Sequence, residues 1–466
     1  MERLTIKEII RAVQGELICG SQRGEISGVS IDSRTIRKGE IFFALKGERF
    51  DGHDFLQEAI DKGAKAAVVS KKKKITSKVA IISVTHTLTA LQELAKSYRR
   101  MFNPVVVAVT GSNGKTTTKD MLKALLSSKY RVTATVGNYN NVVGLPLTLF
   151  EISPKTEFLV LEMGTNHAGE IKRLAEISLP QIGVITNIGD THLQFFRCIS
   201  NVLSAKMEVV QLLPRRGKIA LNIDDGHLRS QFKKIKQRII TFGIDPRADV
   251  RASDIAVSSP GEKERLSFTV WAAGERREFD LYCLGRYNIY NALAAISVAK
   301  EFGLSLSLMV EVLGKFKFPK LRMEKLKYGE VTLVNDAYNA NPTSVKAVLS
   351  DFVSSFPSLR KIVVLGDMLE LGRMSRKFHQ EIGEIVAASP IYSLITVGED
   401  ARFIGQAAGK WGMEKNNIFS FKDKKGASIK LKKLLKPKDV VLIKGSRKMG
   451  LEEVIKYLFN SPPIKR

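Results

Sequence analysis

The segment "VVVAVTGSNGKTTTKDML", residues 105–122, constrains the fold more than any other part of the chain. Its apolar run predicts a buried strand, and the glycines that follow predict a tight turn into a helix. A strict phosphate loop reads G-x-x-x-x-G-K-[ST], and here Val109 occupies the place of the first glycine. Gly111 and Gly114 still permit close backbone approach, and the N–H groups at a helix N-terminus attract anions. The segment therefore predicts a strand, a phosphate-binding loop and a helix.

The same alternation of apolar strands and amphipathic helices continues along the chain. The segments "FLVLEMG", "QIGVITNIG" and "KIALNIDD" predict further strands, and helical spacing of apolar residues separates them. This pattern favours a parallel, doubly wound sheet, and 466 residues are too many for one hydrophobic core. We therefore predict an α/β protein of three domains. They are a small α/β N-terminal domain at residues 1–84, a central domain of the phosphate-loop type with a doubly wound parallel sheet at 85–318, and a C-terminal Rossmann-like α/β domain at 319–466.

Composition narrows the class of protein. A formal net charge of +27 is compatible with a binder of nucleic acid or of a membrane surface, or with a lysine-rich surface on a protein whose ligands are anionic. The excess is diffuse apart from the lysine run at residues 71–74, which predicts an exposed turn, and aromatic residues do not interleave with it. We therefore expect no nucleic-acid partner. No apolar run reaches the roughly 18 residues of a membrane span.

Cysteine usage indicates the compartment. Cys19, Cys198 and Cys283 are scattered and odd in number. We interpret them as buried free thiols in a reducing cytoplasm, because disulfide frameworks and metal sites require paired or closely spaced cysteines.

Polar side chains follow the predicted strands of the central sheet. Glu162 ends "FLVLE", and Asn187 and His192 follow "GVIT". Ligands of open α/β sheets bind at the carboxyl ends of the strands, so these side chains should converge on the phosphate loop. There Lys115 would reach the β- and γ-phosphates, and Thr116 would ligate Mg²⁺. The pattern predicts a nucleotide and metal site.

Together these residues resemble the Mur ligase family, and the likeness covers essentially the whole chain. The phosphate loop has the family's form, T-G-[ST]-N-G-K-[ST], and other matching motifs are "NYNNVVGLPLTL", "LEMGTNHAGEI", "TNIGDTHL", "SAKMEVV", "GRYNIYNALAAISVA", "NDAYNANPTSV", "VVLGDMLELG" and "VLIKGSRKMGLE". The segment "SIDSRTIRKGEIFFALKGERFDGHDF" resembles the N-terminal domain of the members that join D-alanyl-D-alanine to UDP-N-acetylmuramoyl-tripeptide. The resemblance implies an ATP-dependent, ADP-forming amide ligase of cytoplasmic peptidoglycan precursor synthesis, acting through an acyl phosphate.

The resemblance also implies a division of labour. The N-terminal domain would bind the UDP-sugar substrate, the central domain ATP and two Mg²⁺ ions, and the C-terminal domain would close over ATP and bind the dipeptide. Lys206 matches a lysine that CO₂ converts to a carbamate in the family, although its helix pattern alone predicts a solvated side chain. We expect a monomer.

Individual roles are carried over by position. ATP contacts are implied for Gly111, Ser112, Asn113, Gly114, Lys115, Thr116, Thr117, Asn288, Asn291, Arg322 and Asp336. Metal ligands are implied for Thr116, Glu162, His192 and the carbamate of Lys206, and catalytic roles for Lys115, Glu162, His192 and Lys206. Substrate contacts are implied for Ser33, Arg34, Asp51, Gly52, His53, Asn138, Asn339, Asn341, Lys444, Ser446 and Arg447.

Three positions depart from the family pattern. Tyr287 stands where a histidine is usual before Asn288, Leu321 replaces a common glycine before Arg322, and Gln194 begins an unusual continuation after the metal-site histidine. The first two bear on fine nucleotide contacts, and the third predicts altered packing beside the metal site. None of them removes a predicted ligand.

Other functions stay open at this point. A different amino-acid ligase of the same family would share the phosphate loop, but it leaves the N-terminal motif unexplained. A basic, ATP-dependent nucleic-acid-binding protein would leave both the "DSR" and "DGH" segments without a role. An inactive structural relative is disfavoured because the loop lysine and the metal-site positions are all present.

Overall fold

The structure is a computed structural model that describes residues 1–70, 78–257 and 265–460. The turn predicted at residues 71–74 lies outside these ranges. Within them, no helix is long and apolar enough to cross a bilayer.

The N-terminal unit is a small sheet with helices packed on it. Its elements are β1 (Leu4–Thr5), α1 (Ile6–Val13), β2 (Glu16–Cys19), β3 (Glu25–Ile26), β4 (Gly28–Ser30), β5 (Glu40–Phe43), α2 (Leu56–Asp61), β6 (Ala66–Val69) and β7 (Ala80–Ser83). The sheet order is β2-β7-β6-β5-β4, and all of its pairs are parallel except β2–β7. Thr5 caps α1 in a capping box with Glu8. The small α/β unit predicted from the sequence is confirmed.

The central unit carries the largest sheet of the described residues. Its elements are α3 (Thr87–Arg99), β8 (Val105–Thr110), α4 (Lys115–Ser127), β9 (Val132–Ala134), α5 (Gly144–Leu149), β10 (Phe158–Glu162), α6 (Glu170–Ser178), β11 (Ile182–Ile185), α7 (Leu193–Phe196), α8 (Ile199–Leu212), β12 (Lys218–Asn222), α9 (Gly226–Arg229), β13 (Arg238–Gly243), β14 (Val250–Val257), β15 (Leu266–Ala272), β16 (Glu275–Leu281), α10 (Tyr287–Lys300) and α11 (Leu306–Gly314). The strand order is β16-β15-β14-β13-β12-β11-β8-β10-β9. Strand β8 lies between β10 and β11, which places the ends of these three strands side by side.

The pairs from β9 to β14 are parallel, which confirms the predicted doubly wound sheet. The antiparallel edge formed by β14, β15 and β16 was not predicted. Strand β8 is buried on both faces between α4 and the helices of the other layer, as its unbroken apolar run indicates.

The C-terminal unit has its own parallel sheet with an antiparallel edge. Its elements are β17 (Glu324–Tyr328), β18 (Val331–Asp336), α12 (Pro342–Ser355), β19 (Lys361–Gly366), α13 (Ser375–Ala387), β20 (Ser393–Val397), α14 (Arg402–Lys410), β21 (Ile418–Phe421), α15 (Lys424–Leu434), β22 (Val440–Lys444) and α16 (Glu452–Phe459). The order is β17-β18-β22-β19-β20-β21. The predicted three-part α/β architecture is confirmed, whereas the boundaries after residues 84 and 318 stay predictions.

The cysteines differ from their prediction in one respect. All three are free thiols, but the predicted burial is wrong, because Cys19 and Cys283 are only partly buried and Cys198 is exposed. It occupies the N-cap position of α8, in extended backbone between two helices at the surface. The periodicity of apolar residues does not predict the exposure of such a residue, because it lies just outside the helix.

Candidate active site

The phosphate-binding loop joins β8 to α4 and requires its two glycines. Gly111 has φ +141°, and a Cβ there would lie 1.9 Å from Thr186 Oγ1. Gly114 has φ +83°, and a Cβ there would lie 2.2 Å from Asn291 Oδ1. A side chain at either position would be strained and would clash. The loop therefore holds its backbone against neighbouring side chains while its other face opens to a cavity.

The side chains after β11 brace this loop. Asn187 Oδ1 accepts the N–H of Asn113 at 3.0 Å, and Asn187 Nδ2 donates to the Asn113 carbonyl at 3.2 Å. Ser112 exchanges hydrogen bonds with Gly189 at 3.1 and 2.9 Å. Asn187, which its strand-end position suggested as a metal-type ligand, thus fixes the loop conformation.

Lys115 begins α4 and folds back over the loop. Its Nζ donates to the carbonyls of Gly111 at 2.9 Å and Ser112 at 3.3 Å. Burial lowers the pKa of this ammonium, the Glu162 carboxylate raises it, and the Arg322 cation lowers it. A bound phosphate would give this partly desolvated cation a counter-charge.

Glu162 ends β10 with its carboxylate almost completely buried, at 2% exposure. Its Oε1 accepts from Asn140 Nδ2 at 2.7 Å, whereas its Oε2 is buried without a hydrogen-bond partner among the described residues. An unpartnered buried carboxylate oxygen is costly, so this atom fits a cation. Mg²⁺ prefers oxygen ligands and needs few from protein when phosphates and water complete its shell. Glu162 and Thr116, which line the same cavity, therefore fit one Mg²⁺ ion.

His192 and Lys206 have different surroundings. His192 has φ +54° and places its Nδ1 2.5 Å from Glu370 Oε2, in the C-terminal unit. Lys206 lies in α8 at 2% exposure, so the solvated position that its helix pattern predicts is wrong. Burial lowers the pKa of Lys206 well below its usual value, and the charge of Lys115 lowers it further. The described residues contain no group of three or more histidine, cysteine, aspartate or glutamate side chains placed to hold a metal.

The C-terminal unit reaches the loop through Arg322. Its Nη2 donates to Thr116 Oγ1 at 3.1 Å, and its guanidinium lies 4.0 Å from the centroid of the Tyr338 ring. Leu321 adopts φ +62°, the left-handed region that favours glycine. The departure from the family's glycine therefore leaves the backbone conformation in place at some cost in strain.

Asp336 and Lys444 end neighbouring strands, β18 and β22, and lie opposite each other in register. Lys444 Nζ donates to Asp336 Oδ2 at 2.5 Å and to the Asn339 carbonyl at 2.9 Å. Asp336 Oδ1 accepts the N–H of Met323 at 2.9 Å. This buried ion pair anchors the segment that carries Arg322.

A cavity of about 680 Å³ opens between the central and C-terminal units. The predicted residues that line it are Ser112, Asn113, Gly114, Lys115, Thr116, Thr117, Asn138, Glu162, Asn187, His192, Asn291, Arg322, Asp336, Asn339, Lys444 and Arg447. The predicted residues outside its lining are Gly111, Lys206, Asn288, Asn341, Ser446 and the N-terminal set Ser33, Arg34, Asp51, Gly52 and His53. The structure thus brings the phosphate loop and the C-terminal cations together.

Several of these outlying residues support the cavity from behind. Asn291 Nδ2 donates to Asn288 Oδ1 at 3.0 Å, and Asn288 Nδ2 donates to the Leu284 carbonyl at 3.0 Å. Asn341 caps α12 and donates to Asn113 Oδ1 at 2.8 Å. Ser446 Oγ accepts the N–H of Leu369 at 2.9 Å. Contacts of the asparagine pair with adenine stay predictions.

The N-terminal candidates form two groups away from the cavity. Asp51 Oδ1 lies 2.5 Å from His53 Nδ1, and the other ring nitrogen of His53 accepts the Ser70 N–H at 2.9 Å. A Cβ on Gly52 would lie 2.7 Å from the Leu45 backbone. In the second group, Ser33 Oγ donates to Glu58 Oε2 at 2.9 Å, and the Arg34 guanidinium pairs with the Asp32 carboxylate at 2.9 and 2.7 Å. Their role in binding a uridine nucleotide stays a prediction.

Sequence reasoning missed three residues that complete the site. Asn140 holds Glu162, Tyr338 lies under Arg322, and Glu370 contacts His192. Asn140 and Tyr338 lie inside the motifs "NYNNVVGLPLTL" and "NDAYNANPTSV", so a closer examination of those motifs could have found them. Glu370 lies inside the motif "VVLGDMLELG", but it follows a strand of a different unit, and nothing in its local sequence links it to His192.

The chain is similar to known proteins along almost its whole length. Three family models match: "Mur ligase family, catalytic domain" at residues 25–99, "Mur ligase middle domain" at 109–299 and "Mur ligase, glutamate ligase domain" at 321–447. A curated protein of Bacillus subtilis, UDP-N-acetylmuramoyl-tripeptide--D-alanyl-D-alanine ligase, is 37% identical over 99% of this chain and 100% of its own length. The protein of the same name from Escherichia coli is 33% identical over 98% of this chain and 99% of its own.

Solved structures show the same likeness. A crystal structure of MurF from Acinetobacter baumannii has a TM-score of 0.90 and 30% identity, covering 99% of this chain and 100% of that one. A structure of MurF ligase from Thermotoga maritima in complex with ADP has a TM-score of 0.83 and 29% identity, covering 93% and 97%.

Proposed function

The chain belongs to the Mur ligase family, and we propose that it uses ATP to join D-alanyl-D-alanine to UDP-N-acetylmuramoyl-tripeptide. This reaction forms a C–N bond, releases ADP and phosphate, and completes the peptide of a peptidoglycan precursor. The observation that carries the proposal is the cavity in which the phosphate loop, the buried Glu162 carboxylate and Arg322 of the C-terminal unit meet. A carboxylate is a poor electrophile, and transfer of the γ-phosphoryl group converts one of its oxygens into a leaving group.

The chain's residues divide this work. Lys115 and the loop N–H groups hold the phosphates of ATP, and Thr116 and Glu162 would hold Mg²⁺, which supplies positive charge against the transferring phosphoryl group. Arg322 adds a cation from the opposite wall. These charges offset the repulsion between ATP and the tripeptide carboxylate. The dipeptide amine then attacks the acyl phosphate, and the carboxylate oxygen leaves with the phosphate.

A second Mg²⁺ ion is proposed for Glu162, His192 and a carbamate on Lys206. The ammonium of a lysine cannot ligate a cation, but burial favours the neutral amine of Lys206, which is the form that attacks CO₂. The amine nitrogen bonds to the carbon of CO₂ and loses a proton, which leaves an anionic oxygen ligand. The same low-polarity surroundings that disfavour the ammonium then favour pairing of the carbamate with a cation.

The substrates are assigned to different units. The Asp51–His53 and Ser33–Arg34 groups are proposed to bind the uridine nucleotide, because both lie in the N-terminal unit away from the ATP cavity. Asn138 lines the cavity from the central unit, and Asn339 and Arg447 line it from the C-terminal unit, near the proposed dipeptide site. Action as a monomer in the cytoplasm is also proposed, and the free thiols suit that compartment.

The amine substrate provides the sharpest test of the proposal. The enzyme would be incubated with ATP, Mg²⁺ and the UDP-tripeptide, together with D-alanyl-D-alanine, D-alanine, or an L-amino acid in separate reactions. Mass spectrometry should find a new amide with the dipeptide and little with the others. An amide formed preferentially with a single amino acid would instead assign a sister ligase, and ATP hydrolysis stimulated by DNA or RNA would support the nucleic-acid alternative.

A further inference from the structure

We propose that Glu370 is a positioning residue for His192, fixing its imidazole with Nδ1 protonated and Nε2 open toward the cavity. Glu370 belongs to the C-terminal unit and His192 to the central unit. The histidine would therefore be correctly set only while the C-terminal unit is docked. This inference rests on the proposed function, because it concerns the same ATP and metal site.

The two side chains meet directly across the boundary between the units. His192 Nδ1 lies 2.5 Å from Glu370 Oε2, and both side chains are about three-quarters buried, with exposures of 23% and 27%. His192 lines the cavity, whereas Glu370 does not. The carboxylate is thus placed behind the ring, on the side away from the substrates.

The backbone fixes this placement. Gln194 N–H donates to the Glu370 carbonyl at 2.8 Å, close in sequence to His192. Gly372, with φ +57°, packs against Gln194 so closely that a Cβ would lie 3.1 Å from the Gln194 Cα. Gln194 begins the segment whose sequence departs from the family pattern. That departure therefore falls where the C-terminal unit docks.

The chemistry of the contact assigns the tautomer. An ionised carboxylate only accepts hydrogen bonds, so Nδ1 carries the proton, and a neutral imidazole then has its lone pair on Nε2. No hydrogen bond to His192 Nε2 occurs among residues 1–70, 78–257 and 265–460. By contrast, His53 has the same carboxylate contact, but its Nε2 accepts the Ser70 N–H, and His379 Nε2 accepts the Met368 N–H. The Nε2 atoms of His53 and His379 are therefore occupied by backbone N–H groups, whereas His192 Nε2 accepts no hydrogen bond from the described residues.

An open Nε2 held by a carboxylate behind it is the arrangement found at metal-binding histidines. The carboxylate fixes the orientation of the ring and raises its basicity, and loss of such a partner typically costs about 10- to 100-fold in metal affinity or activity. At this site the partner is supplied by a separate unit. Docking of the C-terminal unit would therefore prepare the histidine before phosphoryl transfer.

The test compares Glu370→Gln and Glu370→Ala with Glu453→Gln as a matched control. Glu453 is an acid of the same unit that pairs with Lys424 away from the cavity. The backbone at residue 370 has φ +64°, and Gln and Ala carry the same strain there as Glu, so differences report on the side chain. Should the Ala variant fail to fold, the near-isosteric Gln variant keeps the test valid.

The first readout is Mn²⁺ binding, which electron paramagnetic resonance would monitor in the presence of a non-hydrolysable ATP analogue and the UDP-tripeptide. Affinity should fall about 10- to 100-fold in Glu370→Ala, less in Glu370→Gln, and stay unchanged in Glu453→Gln. The kcat for amide formation should fall in the same order, with the KM for the UDP-tripeptide unchanged. Equal Mn²⁺ affinity and kcat in all variants would overturn the inference.

A double-mutant cycle separates positioning from simple docking. If Glu370 acts through His192, adding Glu370→Ala to His192→Gln should cost little more than His192→Gln alone. Additive losses would show that Glu370 acts elsewhere and would overturn the inference. A wild-type enzyme that forms no amide would instead contradict the proposed function, so the two failures are distinguishable.

Discussion

At the scale of single residues, the unpartnered oxygen of Glu162 is the most informative atom of the site. Glu162→Gln keeps the shape and the contact with Asn140 but removes the charge that suits a cation. Metal-based charge stabilisation is worth several kcal/mol, so kcat/KM should fall at least about 100-fold. In a thermal unfolding assay, Mg²⁺ with ATP should stabilise the wild type clearly more than the variant. Equal stabilisation by Mg²⁺ would show that Glu162 does not hold the ion.

Lys206 provides a second test at this scale. After incubation with ¹³C-bicarbonate, solid-state NMR should show a carbamate signal in the wild type and none in Lys206→Arg. Lys361 is the control, because it is equally buried at 2% exposure but donates to the carbonyls of Pro357 and Leu359. Lys361→Arg should keep the signal. A signal that survives in Lys206→Arg would place the carbamate elsewhere.

At the scale of elements, two helix starts form a matched pair. Gly114 precedes α4 with φ +83°, and Gly169 precedes α6 with φ +87°. Alanine would cost about 1–2 kcal/mol of backbone strain at either position. At Gly114 it would also meet Asn291 Oδ1 at 2.2 Å, whereas nothing lies within 4 Å at Gly169. Calorimetry should therefore find ATP affinity at least tenfold weaker in Gly114→Ala and nearly unchanged in Gly169→Ala. Equal affinities would contradict the proposed role of the loop.

Elements also show what the sequence could and could not predict. The strands β8, β10 and β11 are apolar runs bounded by turns, so their positions and the convergence of Glu162 and His192 were predictable. The hairpin of β15 and β16 was not predictable from the sequence. Its turn, Ala273-Gly274, has positive φ at both residues, but alanine at the first lacks the usual Asn-Gly or Asp-Gly signal.

Contacts between the units cannot be predicted from local sequence patterns. The pairs Glu370–His192 and Arg322–Thr116 join residues far apart in sequence, and no periodicity encodes them. The resemblance to the family assigned a role to Arg322 but none to Glu370, although Glu370 lies in the matching motif "VVLGDMLELG". For Lys206 the local pattern gave a wrong prediction. Its helical spacing predicted a solvated side chain, whereas packing in the folded chain buries it.

At the scale of the whole molecule, we expect Asp351 to make the folding stability depend on pH from its position where α12 meets the start of α10. Its carboxylate in α12 accepts the Arg286 N–H at the start of α10, at 2.8 Å. Burial raises the pKa of Asp351 to about 6, so the folded state binds this proton more tightly than the unfolded state does. Stability is therefore lost as pH rises from about 4 through 6, by ~3 kcal/mol.

Asp351→Asn keeps an acceptor and removes the ionisation. Its free energy of unfolding should exceed that of the wild type by up to ~3 kcal/mol at pH 8, with the advantage shrinking toward zero near pH 4. Chemical denaturation at several pH values would measure this difference. An advantage that does not change with pH would contradict the expected contribution of Asp351 ionisation to folding stability.

The central claim is that the two units surround ATP so that a carboxylate is activated for attack by an amine. The most direct measurement is phosphate release with UDP-N-acetylmuramoyl-tripeptide labelled with ¹⁸O in its terminal carboxylate, omitting each substrate in turn. We predict that steady release requires ATP, Mg²⁺, the tripeptide and D-alanyl-D-alanine, and that each released phosphate carries one ¹⁸O from the carboxylate. Release without the two substrates, or phosphate free of the label, would contradict this claim.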